Sequence, residues 1–339
     1  VLALPTETYY ALAVNPFDEA ALAPCTWDLV RFLASILVGT RNISVPRHDA
    51  IKLCRGFLDA YRSALVQGKA RWVERETSEG MIKELLGAVG SRARPDFLDT
   101  RTQRKGNRRF IRTDGIKALP ATDAQRQKVT AFMEDFASRQ DNPKFFQILD
   151  VARRIAGTGS LGVERYVILV RGRGSPDSNF LLDLKQAVPS SLMATLSIRQ
   201  PGWKSEAHRV VAIQRRVQAV SMAFLQPVKI GKRPYVLRAL QPSEDRVALQ
   251  HWNGKSSRLE GVIASMGAAV AWGHLRSGGR DGSAIADDLI EFASTSRWKK
   301  QAMSLAQQCA EWARRDWLTY AHAYDDGCFM VEPTGRDDI

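Results

Sequence analysis

Two hydrophobic periods alternate along the chain and divide it into three regions. In residues 1–15 the runs VLAL and YYALAV read as short strands around a PTET turn. After Pro16, an amphipathic pattern opens at Asp28 and Leu29 and runs to Gly39, and helical spacing returns at 47–67, 78–90, 122–139 and 143–156. Between them, 91–121 is polar, Arg-rich and proline-marked, and reads as a long loop. From 157 to 242 the pattern changes. VERYVILV and NFLLDLKQA are β-branched or apolar runs joined by RGRGSPDSN, a hairpin turn, and PVKI and RPYVLRAL read as two more strands after a helix at about 205–223. PSED, Pro242–Asp245, punctuates the chain, and 257–276, 283–296 and 298–323 read as helices. Trp272, Trp298, Trp312 and Trp317 recur at helical spacing there and are expected in the core. The tail after Asp326 is expected to be loose. The expectation is an α+β protein: a helical lobe from 1–156 and 243–326, a small antiparallel-sheet lobe at 157–242, and a tail at 327–339.

The boundary between the first two regions carries the densest chemistry. Gly157, Gly159 and Gly162 form GxGxxG, with Thr158 and Ser160 between them. Glycine admits positive φ and close backbone approach, so the N–H groups of such a turn can cradle phosphates. A dinucleotide-binding turn would follow a strand and open a helix. Here the residues before the glycines read as helix and those after them as strand. A glycine loop leading into a strand, with Lys185 on the next strand, is the arrangement of kinase-type phosphate loops. The plain alternatives are a tight turn for the glycines and a water-facing strand-edge lysine for Lys185.

Composition narrows the classes. The 339 residues suffice for a sizeable core, and no apolar run nears the ~20 residues of a membrane span. Cys25, Cys54, Cys309 and Cys328 are scattered without a CxxC, which suits a reducing cytoplasm rather than a structural zinc site. The five histidines lack HxxxH spacing. A net charge of +13 favours polyanionic partners such as nucleic acid, nucleotide or acidic lipid. The densest basic run, Arg101–Arg112, is either a solvated loop or an anion-binding surface.

Several stretches together resemble a bacterial family described as domain of unknown function 2252: NPFDEA, TWDLVRFLAS, DVARRIAGTGSLG, LLDLKQA, HRVVAIQRRVQA, YVLRAL, GHLRSG and RRDWLTY. They cover most of the chain, in order. That family in turn looks kinase-like. PFDEAALAPCTWDL is similar to the segment of aminoglycoside phosphotransferases that starts at the metal-binding Asp and ends in an Asp-Leu opening a helix. In those enzymes the glycine loop precedes this segment; here it follows. The resemblance therefore implies a circularly permuted, two-lobed kinase-like fold, with ATP on Gly157, Thr158, Gly159, Ser160, Gly162 and Lys185, and magnesium as an option. Family members carry a Gly-Asp-x-His-x-x-Asn-like segment just before the position of Val1, so the chain is expected to continue upstream.

Three departures stand against full activity. Pro16 occupies the metal-Asp position, Gln186 follows the strand lysine where the family tends to have an acid, and Ala212 replaces an acid of the following helix. Asp18 and Glu19 are the candidate substitutes on metal, and Glu206 the candidate partner for Lys185. The resemblance also gives Asp28 the role of a brace for the catalytic loop, beside its simpler role as a helix cap. His274 and Arg276, near a helix end before Gly278, either complement the helix dipole or reach the phosphate site from the opposite lobe. The expected functions are an ATP-binding phosphotransferase with Asp18, His274 and Arg276 as catalytic candidates and an unidentified acceptor; a pseudokinase-like nucleotide-binding or interaction protein; or a basic nucleic-acid binder.

Overall fold

A computed structural model describes residues 2–5, 10–13, 17–157, 162–241 and 245–329. The chain opens with two short antiparallel strands, β1 (Leu2–Pro5) and β2 (Tyr10–Ala13). Three helices follow: α1 (Thr26–Gly39), α2 (Arg47–Val66) and α3 (Gly80–Ser91). The stretch expected as a loop, 91–121, instead folds into a short helix α4 (Arg94–Asp99), a hairpin of β3 (Thr102–Lys105) and β4 (Arg108–Ile111), and the strand β5 (Ala118–Pro120). Arg109 organises it. Its guanidinium is buried and pairs with Asp99 and Asp177 while donating to the Pro176 carbonyl, 2.7 Å. A basic run that looked solvated therefore contains an internal latch.

Next come α5 (Asp123–Ser138), entered through a Thr122/Gln125 capping box, and β6 (Ile148–Arg154). The helix expected over 143–156 is absent. Pro143–Phe146 makes one 3₁₀ turn, and the rest pairs with β5 and with β7 (Arg165–Gly174). The physical reason is burial on both faces. Val151 enters the core beneath α5 and Ala152 the core on the opposite face, so neighbouring residues are both apolar and the strand period is hidden. The remaining elements are β8 (Ser178–Gln186), α6 (Glu206–Val217), β9 (Gln226–Ile230), β10 (Arg233–Ala239), α7 (Ser256–Ser277), α8 (Ala286–Ser294) and α9 (Arg297–Asp325).

The described strands β5 to β10 form one six-stranded antiparallel sheet, order β5-β6-β7-β8-β10-β9. It draws β5 and β6 from the span expected for the helical lobe. One face packs on α5 through Val129, Met133, Phe136, Ile168, Leu182, Leu184 and Leu237. The helical lobe has its own core, centred on α2 against α7, with Leu53, Phe57, Tyr61, Val262 and Met266. Each such fully buried side chain contributes about 1.5–3 kcal/mol relative to exposure. The helices cross closely at Gly267, where a Cβ would lie 2.4 Å from the Phe57 carbonyl oxygen.

Of the four tryptophans expected in the core, Trp298 is buried and Trp272 partly so, whereas Trp312 and Trp317 are 49% and 63% exposed on the second half of α9. Helical spacing continues along α9 after the packed face has run out. Among the described residues no helix is long and apolar enough to cross a membrane.

Candidate functional site

The glycine turn joins β6 to β7, so it lies between two strands rather than after a helix. Gly157 and Gly162 take φ of +67° and +76°, and a Cβ at either would meet open space. Both glycines are thus required by backbone conformation, and not by crowding. Thr158, Gly159 and Ser160 lie outside the described residues. Arg165, three residues past Gly162, donates to the Ala156 carbonyl at 3.2 Å and ties the two ends of the turn together.

Lys185 sits on β8, the neighbour of β7, directly opposite Arg165 in register. It is buried, and its ammonium donates to Asp18 Oδ2 at 2.7 Å. Asp18 comes from the segment between β2 and α1, so the pair joins residues far apart in sequence. Alternation along the strands places Asp183, Lys185, Arg165, Arg154, Val236 and Arg238 on one sheet face. A small cleft opens there, lined by Phe17, Asp18, Lys185, Gln214, Val236 and Arg238.

Behind Lys185 lies a hub that the sequence reading missed. Asp183 is fully buried and receives three guanidiniums: Arg165 through Nε and Nη2, both at 2.8 Å, Arg154 at 2.8 Å and Arg238 at 3.2 Å. Burial works against the Asp183 charge, but the three arginines outweigh it and hold the carboxyl well below the ordinary range. Burial pushes the Arg154 guanidinium down to about 10, against the pull of Asp183. The available signal was Asp183 within LLDLK, since a carboxylate inside an apolar strand must find cations.

Glu19 turns away from Asp18. Its carboxylate accepts from Ser190 Oγ, Ser191 Oγ and the Ser191 backbone N–H at 2.7–2.9 Å. Burial raises its pKa, and the two serines more than offset this and hold it below the usual value. Glu206 does not reach Lys185; it pairs with Arg209 at 2.6 Å. Arg209 is buried and donates to the backbone carbonyls of Asp18, Ala20 and Val188. It clamps the segment that delivers Asp18. Arg215, the other arginine of this helix, donates to the Leu225 carbonyl.

His274 and Arg276 do not join the cleft. His274 shares hydrogen bonds with Tyr61 Oη (2.9 Å, through Nδ1) and with Asp28 (3.1 Å, through Nε2), bracing α7 against α2 and α1. Arg276 donates to the carbonyls of Val217 and Arg71 at 2.9 and 2.8 Å, fastening the end of α6 to the helical lobe. The structure does not bring these two side chains to the cleft with Lys185: their hydrogen bonds run to Tyr61, Asp28, Val217 and Arg71. Asp28 likewise meets His274, and no cap hydrogen bond from a side chain opens α1.

Lys185 and the arginines share this sheet face, a cationic set of the kind an anionic nucleotide would need. The fit to a protein-held magnesium is poor. Asp18 is committed to Lys185 and Glu19 to the serines, Pro16 lies outside the described residues, and among the described residues no group of three or more His, Cys, Asp or Glu could hold a metal.

The model of the bacterial family described as "Uncharacterized protein conserved in bacteria (DUF2252)" matches residues 6–323, and the chain belongs to that family. No curated protein and no solved structure matches it.

Proposed function

We propose that this family member is an ATP-binding protein on a circularly permuted, two-lobed kinase-like fold. The carrying observation is Lys185: it projects from the strand next to the glycine-turn hairpin and meets a carboxylate from the segment that leads into the helical lobe. The sequence strand–glycine turn–strand–lysine strand–helix–strand–strand, β6 to β10, supports the kinase comparison, because such loops cover the phosphates while the strand lysine pairs them. The helical elements flank this unit on both sides in sequence, which supports the permuted order.

Two features favour nucleotide binding without phosphate transfer: Asp18 already neutralises Lys185, and Glu19 is used internally. The test is calorimetry with ATP on the wild-type chain and on Lys185→Ala, followed by an ADP-release assay. Saturable binding weakened at least about tenfold by the variant supports the site. ADP release above background would assign phosphate transfer. Absence of binding at millimolar ATP would leave the glycines as a structural turn.

A further inference from the structure

The helix α9 runs out past the body that it packs on. Its first half, from Arg297, buries Trp298, Ala302 and Ala306 in the core of the helical lobe. From Glu311 to Tyr320 every residue is exposed, and the helix continues to Asp325. An isolated helix of about 15 residues is marginal in water and draws most of its stability from whatever covers its apolar face. This arm has such a face. Trp317, Tyr320 and Tyr324 follow one another at spacings of three and four, on one side of the helix, and are 63%, 56% and 63% exposed. The Tyr320 ring stacks on Tyr324 at 6.3 Å between centroids, and Phe329, also exposed, folds back onto Tyr320 at 5.1 Å. A contiguous aromatic patch on a protein surface marks a contact site.

The charges on the arm select what covers it. Arg314 and Arg315 stand against Glu311, Asp316, Asp325 and Asp326, so the arm is locally acidic in a chain of net charge +13. That balance disfavours an acidic membrane or a nucleic-acid backbone. The order of the charges favours a second copy of this chain. The basic pair precedes Tyr320 and the acidic pair, Asp325 and Asp326, follows it. Arg314 and Asp325 lie about three helical turns apart, as do Arg315 and Asp326, so each arginine shares a side of the helix with one aspartate. No ion pair within the described residues uses these four side chains. Laid antiparallel on itself about a two-fold axis at Tyr320, the arm sets the arginines of each copy beside the aspartates of the other, and opposite charges flank the aromatic seam at both ends. A parallel arrangement would set like charges side by side. We propose that the second half of α9 is a homodimerisation arm that pairs antiparallel with the same arm of a second copy, with Tyr320 at the axis.

Two arms of this length bury less than the ~1,600 Å² of a standard interface, so association is expected at micromolar protein, and unfolding followed at nanomolar concentration reports the monomer. Sedimentation velocity on the wild-type chain, from about 1 to about 200 μM, should show the mass rise from 37.8 kDa towards twice that value. Tyr320→Arg puts like charges at the axis and should raise the dissociation constant at least about tenfold. The double variant Arg314→Asp with Arg315→Asp should do the same. Adding Asp325→Arg and Asp326→Arg to it should restore association to within about threefold of wild type, a rescue that a purely structural role of the helix does not give. Far-UV circular dichroism would confirm the helix content of each variant. A wild-type mass of 37.8 kDa at every concentration would overturn the proposal. So would dimerisation that Tyr320→Arg leaves unchanged, or a quadruple variant that stays dissociated. A monomeric chain that co-sediments with phosphatidylserine vesicles would assign the arm to a lipid surface instead.

Discussion

Asp183→Asn is the sharpest perturbation the sheet offers. The replacement is nearly isosteric, so it removes charge and leaves packing unchanged. The carboxylate is fully buried between Arg154, Arg165 and Arg238, and the four contacts it makes with them are charge-assisted. Breaking one buried ion pair from one side costs about 3–5 kcal/mol, because the surviving charge stays desolvated. Three guanidiniums are affected here, although Arg165 retains the Ala156 carbonyl and Arg154 the Gln241 carbonyl. A loss of at least about 3 kcal/mol is therefore expected. That is a large share of the ~5–15 kcal/mol typical of a whole domain. Urea denaturation at pH 7 would read it as a lower midpoint at constant slope. Acidification adds a second arm. The folded pKa of Asp183 lies well below its unfolded value of about 3.9. Its stabilisation is complete above that value and fades as pH falls through the folded pKa. Wild type should thus lose stability below about pH 4 more steeply than Asp183→Asn does. A loss under about 1 kcal/mol at pH 7 would refute the reasoning, since it would mean that water already solvates the arginines.

Two further substitutions test the helical lobe. Gly267→Ala would place a Cβ 2.4 Å from the Phe57 carbonyl oxygen and 3.2 Å from the Tyr61 nitrogen, so α2 and α7 must separate; a loss of about 1–3 kcal/mol is expected in urea titration. Trp317→Ala should change stability by no more than about 0.5 kcal/mol, whereas Trp298→Ala, in the packed half of the same helix, should cost about 3–5 kcal/mol, both read from thermal unfolding.

Helices with one apolar stripe were legible. The pattern at 47–67 became α2, Arg47–Val66, and that at 122–139 became α5, Asp123–Ser138. Elements buried on both sides were not. In DVARRIA the apolar residues of β6 serve two different cores, so their spacing imitates a helix. Arg101–Arg112 was ambiguous because ion pairs across β3, β4 and the β7–β8 turn depend on which chain segments meet, and local sequence does not encode that. Trp312 and Trp317 failed for the opposite reason: helical period reports which face a residue takes, and not whether anything covers that face. At the site, Gly157, Gly162 and Lys185 could be found by motif, and Asp18 by its place in NPFDEA. Arg154, Arg165 and Arg238 could not, because they converge on Asp183 only once four strands are in register.

Gln186 and Ala212, where the resemblance implies acids, gain a physical account from these contacts. In the kinase arrangement a helix acid reaches the strand lysine directly. Here α6 sends a cation instead. Glu206 orients Arg209, Arg209 grips the Asp18, Ala20 and Val188 carbonyls, and Asp18 reaches Lys185. The helix and the lysine are still tied, through four residues rather than two, so Ala212 need not carry charge. Gln186 is occupied too: its side-chain carbonyl accepts from the Glu164 N–H at 3.3 Å, just past the glycine turn. A longer relay has one consequence that a direct pair lacks. A displacement of Asp18 would be felt by the clamped 18–20 backbone and, through Arg209, by α6. The end of α6 is in turn held by Arg276 of α7 at the Val217 carbonyl. The Asp18–Lys185 pair is therefore connected to the helical lobe by hydrogen bonds that Lys185 alone would not provide.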